Sequence, residues 1–195
     1  MQSSVSLWLL DLNSELVWSG DNGTNAPSGP TRRYGVEFAN FYTPIRWLSI
    51  DADYAWSHTR FTDVEPDGSF VPEALVSTFD GGVAVHDLTG PLHRVSGGVR
   101  LRYFGPRPLT QDGTVTSPAT TLLYTEAGYR VNQRWNIGVS VFNLFDTHAS
   151  EIDYFYTSRL KSEPLSGVDG VHTHPADPRS VRVTITAQLG ARTRG

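Results

Sequence analysis

The chain has 195 residues, 38% hydrophobic and 18% charged, with 16 basic against 20 acidic side chains, a net charge of −4 and no cysteine. The missing cysteine excludes a disulfide framework, a thiolate metal site and a cysteine nucleophile. The acidic balance, without a basic cluster, removes the electrostatic footprint of a nucleic-acid binder. The length allows one domain or part of a larger one, and so few charges fit neither a charge-rich disordered chain nor a helical bundle.

From the N-terminus, residues 1–10 lack a basic n-region and a sustained apolar h-region, so no secretory signal is expected there. The longest apolar run, Leu7 to Leu10, falls far short of the ~18 residues of a membrane-spanning helix. A spanning β-strand needs only about 9–11 residues with alternate ones toward lipid, and long stretches of the chain alternate in this way. After weaker runs at 4–12 and 14–19, residues 32–43 set Tyr34, Val36 and Phe38 against Arg33, Gly35 and Glu37. Residues 47–57 set Leu48, Ile50, Ala52, Tyr54 and Trp56 against Ser49, Asp51 and Asp53, and the link at 44–45 suits a tight hairpin turn. A weaker run at 77–87 precedes residues 94–104, where Val95, Val99, Leu101 and Tyr103 oppose Arg94, Arg100 and Arg102.

Residues 121–131 and 134–145 predict another hairpin around Asn132-Gln133, with Ile137, Val139 and Val141 opposed to the small residues Gly138 and Ser140. A weaker run at 150–160 comes next. The last, at 180–189, sets Val181, Val183 and Ile185 against Arg182, Thr184 and Thr186. About ten strands result, joined by long links at 20–31, 62–76, 105–118 and 161–179 and by short ones near 13–14, 44–45, 88–91 and 132–133. Long loops alternating with short turns, and apolar faces with polar ones, predict an antiparallel transmembrane β-barrel segment, all-β in class. Trp8, Trp18, Trp47, Trp56, Tyr103, Tyr129 and Trp135 are placed to supply its interfacial girdles. A soluble β-sandwich binding module also alternates, but runs of this length exceed the usual ~5–6 residues of globular strands.

Phe142-Asn143-Leu144-Phe145-Asp146 resembles the Asn-Leu-Phe-Asp signature near the C-terminal end of TonB-dependent receptor barrels. Thr31-Arg32-Arg33-Tyr34-Gly35-Val36-Glu37 resembles a strand start of that barrel, Leu101 to Arg107 a strand running into an extracellular loop, and His174 to Val181 the approach to its last strand. The resemblance implies the C-terminal part of a receptor of about 22 strands, with residues 1–190 as barrel and 191–195 as a tail, located in the outer membrane of a Gram-negative cell. It further implies a plug and a TonB box outside this chain, and TonB, the plug, outer-membrane lipid and a small-molecule ligand as partners. That ligand would be a siderophore–iron complex, a cobalamin or a glycan, captured by loops 62–76, 105–118 and 161–179. A passive outer-membrane channel is the alternative within membranes.

Asp51, Asp53, Arg94, Arg100 and Arg102 are the lumen-facing candidates. Asn143, Leu144, Phe145 and Asp146 are expected to form a structural turn, because Asn and Asp satisfy turn backbones through their own side chains. His172, His174 and Asp177 have metal-ligating chemistry but read as a polar loop, and no cofactor or metal is expected. No Gly-x-Ser-x-Gly elbow, His-Glu-x-x-His helix or phosphate loop is present, so no enzyme is expected.

Overall fold

Period-two patterning over long stretches leaves the backbone one economical solution, a wide antiparallel sheet. The computed structural model, which describes residues 1–19, 24–65 and 68–189, shows it. Eight strands pair consecutively: β1 (Gln2–Leu12), β4 (Thr31–Ile45), β5 (Leu48–Glu65), β7 (Ser77–Val85), β8 (Val95–Phe104), β9 (Thr120–Arg130), β10 (Trp135–Phe142) and β13 (Ser180–Ala187). A short β6 (Gly68–Phe70) adds to β5. Two hairpins stand apart from this sheet, β2 (Leu16–Ser19) with β3 (Thr24–Pro27) and β11 (Ser150–Ser158) with β12 (Val168–Pro175). Among the described residues no helix is long and apolar enough to cross a membrane.

The pairing register carries one apolar face across all eight strands. Leu7 lies opposite Val36, Val36 opposite Trp56, Tyr54 opposite Phe79, Val83 opposite Val99, Ile137 opposite Tyr129, and Val183 opposite Val139. Nothing among the described residues covers that face: Leu7 is 80% exposed and Val181, Val183 and Ile185 are 63–64% exposed. A sandwich buries this surface between two sheets, whereas the buried hydrophobic residues among those described are Val71 and Leu109, both in loops. The exposed apolar face is therefore the lipid-facing side of a barrel wall. One of its few glycines, Gly81, lies under the ring of Phe79, where an added Cβ would come within 2.6 Å.

Aromatic rings mark both ends of this face, with Tyr34, Trp56 and Tyr103 toward the long loops and Tyr129 and Trp135 toward the short turns, while Trp47 lies in the turn between β4 and β5. Trp8 departs from the expected girdle. It sits opposite Gly35 on the polar face, and its indole lies where a Cβ on Gly35 would meet it at 2.7 Å. The side chain of Trp18, residues 66 and 67 of the 62–76 link and the 191–195 tail lie outside the described residues.

Three segments differ from expectation. Runs 14–19 and 150–160 are arms of the detached hairpins rather than wall strands, because alternation signals an extended chain and not its partner. Segment 161–179 contains β12, with His172 and His174 in it. Its Val-Asp-Gly-Val-His-Thr-His-Pro sequence shows little apolar period, since neither of its faces meets lipid.

The long loops pack into one another. Phe70 N–H donates to the Gln111 carbonyl (2.9 Å) and Glu73 N–H to that of Pro108 (2.7 Å), joining the 65–76 and 105–119 connections. Thr120 Oγ1 donates to the Ser150 carbonyl at 2.6 Å, tying β11 to the top of the wall. Most of the buried polar side chains, including Arg107, Ser117, Asn143 and Asp153, lie at this end.

Candidate functional site

Halfway up the polar face, Arg100 of β8 reaches across β7 to Asp51 of β5, donating from Nη2 to both carboxylate oxygens at 2.8 and 2.9 Å. Its Nη1 also donates to Asp80, and Arg102 Nε donates to the other Asp80 oxygen at 3.1 Å. The crossing depends on Gly82, which is in register with both Asp51 and Arg100. A Cβ there would meet Arg100 Nη2 at 3.2 Å, so the missing side chain is the guanidinium's path.

Of the five lumen-facing candidates, Asp51, Arg100 and Arg102 thus meet in one ladder. Asp53 lies in register with Asp80 and forms no ion pair among the described residues. Arg94 is on the same face but six positions from Arg100, roughly 20 Å along the strand, and donates to the Val131 carbonyl at 3.1 Å. Asp80, the hub, is not evident from the sequence; the signal available is a carboxylate directly before two glycines in the middle of the weaker 77–87 run.

Toward the long loops the ladder opens into a recess of about 700 Å³, lined among others by Glu73, Arg102, Arg107, Tyr124, Tyr154 and Arg182. The wall contributes Arg102, Tyr124 and Arg182, and the packed loops contribute the rest. The Arg182 guanidinium stands 4.8 Å from the Phe142 ring centroid and forms no ion pair among the described residues. Burial pushes the Glu73 carboxyl up to about 7, against the nearby Arg107 cation and with help from Asp153. Burial also raises the Tyr154 phenol, and the Glu73 carboxylate adds to that. The recess is also lined by the carboxyl groups of Glu73, Glu151 and Asp177, and Arg102 is paired with Asp80, so its cations and acids alternate. With Glu73 neutral, Arg107 and Arg182 together with the Tyr124 and Tyr154 phenols can hold an aromatic solute that carries anionic groups. Sequence reasoning misses Glu73, Arg107, Tyr124, Tyr154 and Arg182 as site residues; only Arg182 stands on a clearly read polar face.

The Asn143–Asp146 segment is a turn held by its own side chains. Asn143 is buried in the left-handed region at φ 49°. It accepts from Thr147 N–H at 2.9 Å and donates through Nδ2 to the Thr147 and Asp177 carbonyls, both at 3.0 Å. Asp146 accepts from Arg179 N–H at 2.8 Å. Both residues clamp the end of β10 to the start of β13, so the loop hairpin leaves and rejoins the wall at one place. Phe145 projects, 73% exposed, and Leu144 N–H bonds to the Leu123 carbonyl at 2.8 Å.

His172 stacks on Tyr156 with centroids 3.8 Å apart, and His174 meets Tyr154 edge-on at 6.1 Å. Among the described residues no group of three or more His, Asp or Glu side chains is arranged to hold a metal ion.

The family described as "TonB dependent receptor-like, beta-barrel" matches residues 2–144. The catecholate siderophore receptor Fiu of Escherichia coli (strain UTI89 / UPEC) is 30% identical over 93% of this chain and 22% of its own length. This chain therefore spans about a fifth of that relative. Among solved structures, Fiu of E. coli K12 in its closed form superposes with a TM-score of 0.63 at 21% identity, covering 94% of this chain and 24% of that one. The ferric yersiniabactin uptake receptor FyuA of Yersinia pestis gives 0.65 at 20% identity, over 86% and 25%. The siderophore receptor PiuA of Acinetobacter baumannii gives 0.66 at 14%, over 94% and 25%. These superpositions establish the fold, a stretch of a larger β-barrel.

Proposed function

Because the chain belongs to the TonB-dependent receptor-like β-barrel family, we propose that it is the C-terminal part of the barrel of an outer-membrane receptor that imports an anionic iron–siderophore complex. Residues 1–190 would form wall and loops, with the 191–195 tail beyond them. The plug and the contact with TonB would be supplied by the rest of the receptor. The observation that carries the reading is the recess beneath the packed loops, whose lining brings Arg102, Arg107 and Arg182 together with Tyr124 and Tyr154, beside the carboxyl groups of Glu73, Glu151 and Asp177. Ferric complexes of catecholates are anionic and aromatic, which suits guanidinium forks and phenol rings better than it suits a neutral glycan. The relatives named as receptors and uptake proteins support transport rather than catalysis.

The test is uptake of radiolabelled iron by cells expressing the full-length receptor. Ferric catecholate should be taken up in a TonB-dependent manner, and Arg182→Gln should weaken binding by about tenfold, the scale of one charge-assisted contact. Equal affinity in the variant, or uptake of cobalamin or a glycan in place of the iron complex, would refute the assignment.

A further inference from the structure

On the lipid-facing side, β4 and β5 carry their aromatic belt past the apolar zone into charge. Tyr34 packs edge-on against Trp56 with centroids 6.1 Å apart, and His58 lies 5.1 Å from Tyr34. Two residues further toward the long loops, Arg32 and Arg60 are direct register partners on the same face, and Asp11 of β1 pairs with Arg32. Like charges directly opposite in a sheet repel, and the local counter-charge is incomplete. Arg32 donates to both oxygens of Asp11, at 2.7 and 3.3 Å, yet its side chain stays 57% exposed. Arg60 lies over the Phe70 ring, 3.1 Å from its centroid, and donates Nε–H to His58 Nε2 at 3.2 Å. It forms no ion pair among the described residues. Among the described residues Arg32 thus has one carboxylate and Arg60 none, just beyond the rings that mark the membrane interface, at the height where lipid headgroups begin.

We propose that Arg32 and Arg60, above the Tyr34–Trp56–His58 rings, bind the phosphate of an outer-leaflet lipid on the outside of the barrel. Guanidinium forks match phosphate oxygens in pairs, and the rings below offer an apolar floor to the first segment of an acyl chain. The site lies on the opposite side of the wall from the recess under the loops. It rests on the barrel reading alone and not on which solute is imported.

The test uses the full-length receptor in nanodiscs of phosphatidylcholine doped with bisphosphorylated lipid A, or with the same lipid dephosphorylated, followed by detergent exchange and native mass spectrometry. Wild type should retain the bisphosphorylated form in preference to the dephosphorylated one. Arg32→Gln with Arg60→Gln should lower that retention by about tenfold, while Arg130→Gln on the polar face leaves it unchanged. Asp11→Asn, which frees Arg32, should raise retention or leave it as it is. Arg60→Lys keeps the charge and the packing stem and should fall between wild type and the double variant. Equal retention of the two lipids, a double variant that retains as well as wild type, or a fall in Asp11→Asn would overturn the proposal. Heat-modifiable gel migration verifies that each barrel is folded, and unchanged iron uptake in the double variant separates this site from the import function.

Discussion

Replacing Arg100 with Met tests the polar-face ladder, because it removes the charge and keeps most of the stem. Arg100 supplies two hydrogen bonds to Asp51 and one to Asp80. Bonds to charged groups contribute about 1.5–3 kcal/mol each when shielded, but these side chains are 25–43% exposed, and such exposure leaves far less. A net loss of about 2 kcal/mol is the expected scale, midway between a surface pair and a buried one. Part of it comes from Asp51, left without a cation, and Asp80, which keeps only Arg102. The assay is urea unfolding of the full-length barrel from phospholipid vesicles, run as a mutant cycle with Asp51→Asn and Asp80→Asn. Adding both carboxamides to Arg100→Met should recover at least half of the loss, because the stranded charges are gone. Gly82→Ala should reproduce a smaller loss, since its Cβ would stand 3.2 Å from Arg100 Nη2. A silent Arg100→Met, or a triple variant as unstable as the single one, would refute the reasoning.

Glu73 titrates near 7 because burial outweighs the attraction of Arg107. Its folded pKa is raised, so the neutral form is favoured and the folded state loses stability as pH climbs from about 4.5 through 7. Anion capture in the recess should therefore strengthen several-fold from pH 8 to pH 6, and Glu73→Gln should flatten the profile; a wild-type affinity constant across that range contradicts this. Asn143→Ala removes three hydrogen bonds at a buried left-handed position, a cost of about 2–3 kcal/mol, and hydrogen exchange over residues 143–180 should accelerate before the wall does. Val183→Arg places a cation toward lipid and should cost about 2–4 kcal/mol near the midplane, whereas Thr184→Arg, facing the polar side, should be tolerated in the same unfolding assay.

The wall is legible in the sequence because lipid on one side and water on the other impose a period of two. That period survives in the residues themselves, as in Val181, Val183 and Ile185 against Arg182, Thr184 and Thr186. The turn at Asn143 and Asp146 is legible for a related reason, since the two bonds between Asn143 and Thr147 close it locally, whereas its bonds to Asp177 and Arg179 are not legible. Partnership is not legible. The 150–160 run alternates as the wall does, and only its pairing with Val168–Pro175 shows that it rises into the loops.

The same distinction separates the two halves of the site. Asp51 and Arg100 are found by face, because a strand commits every second residue to the lumen; what face cannot show is that Gly82 opens a route between them and that Asp80 stands at its end. Glu73 and Arg107 have no face to betray them, and Tyr154 has one only in a hairpin whose partner the sequence does not show. Glu73 and Arg107 come from separate loop segments brought together by backbone bonds such as Glu73 to Pro108, and Glu73 itself holds φ 64° to get there. Such placement is decided by loop-to-loop packing, which leaves no period in either loop. A barrel wall whose pattern is dictated by lipid can therefore stay similar among receptors while the loops above it, free of that constraint, set which solute is held.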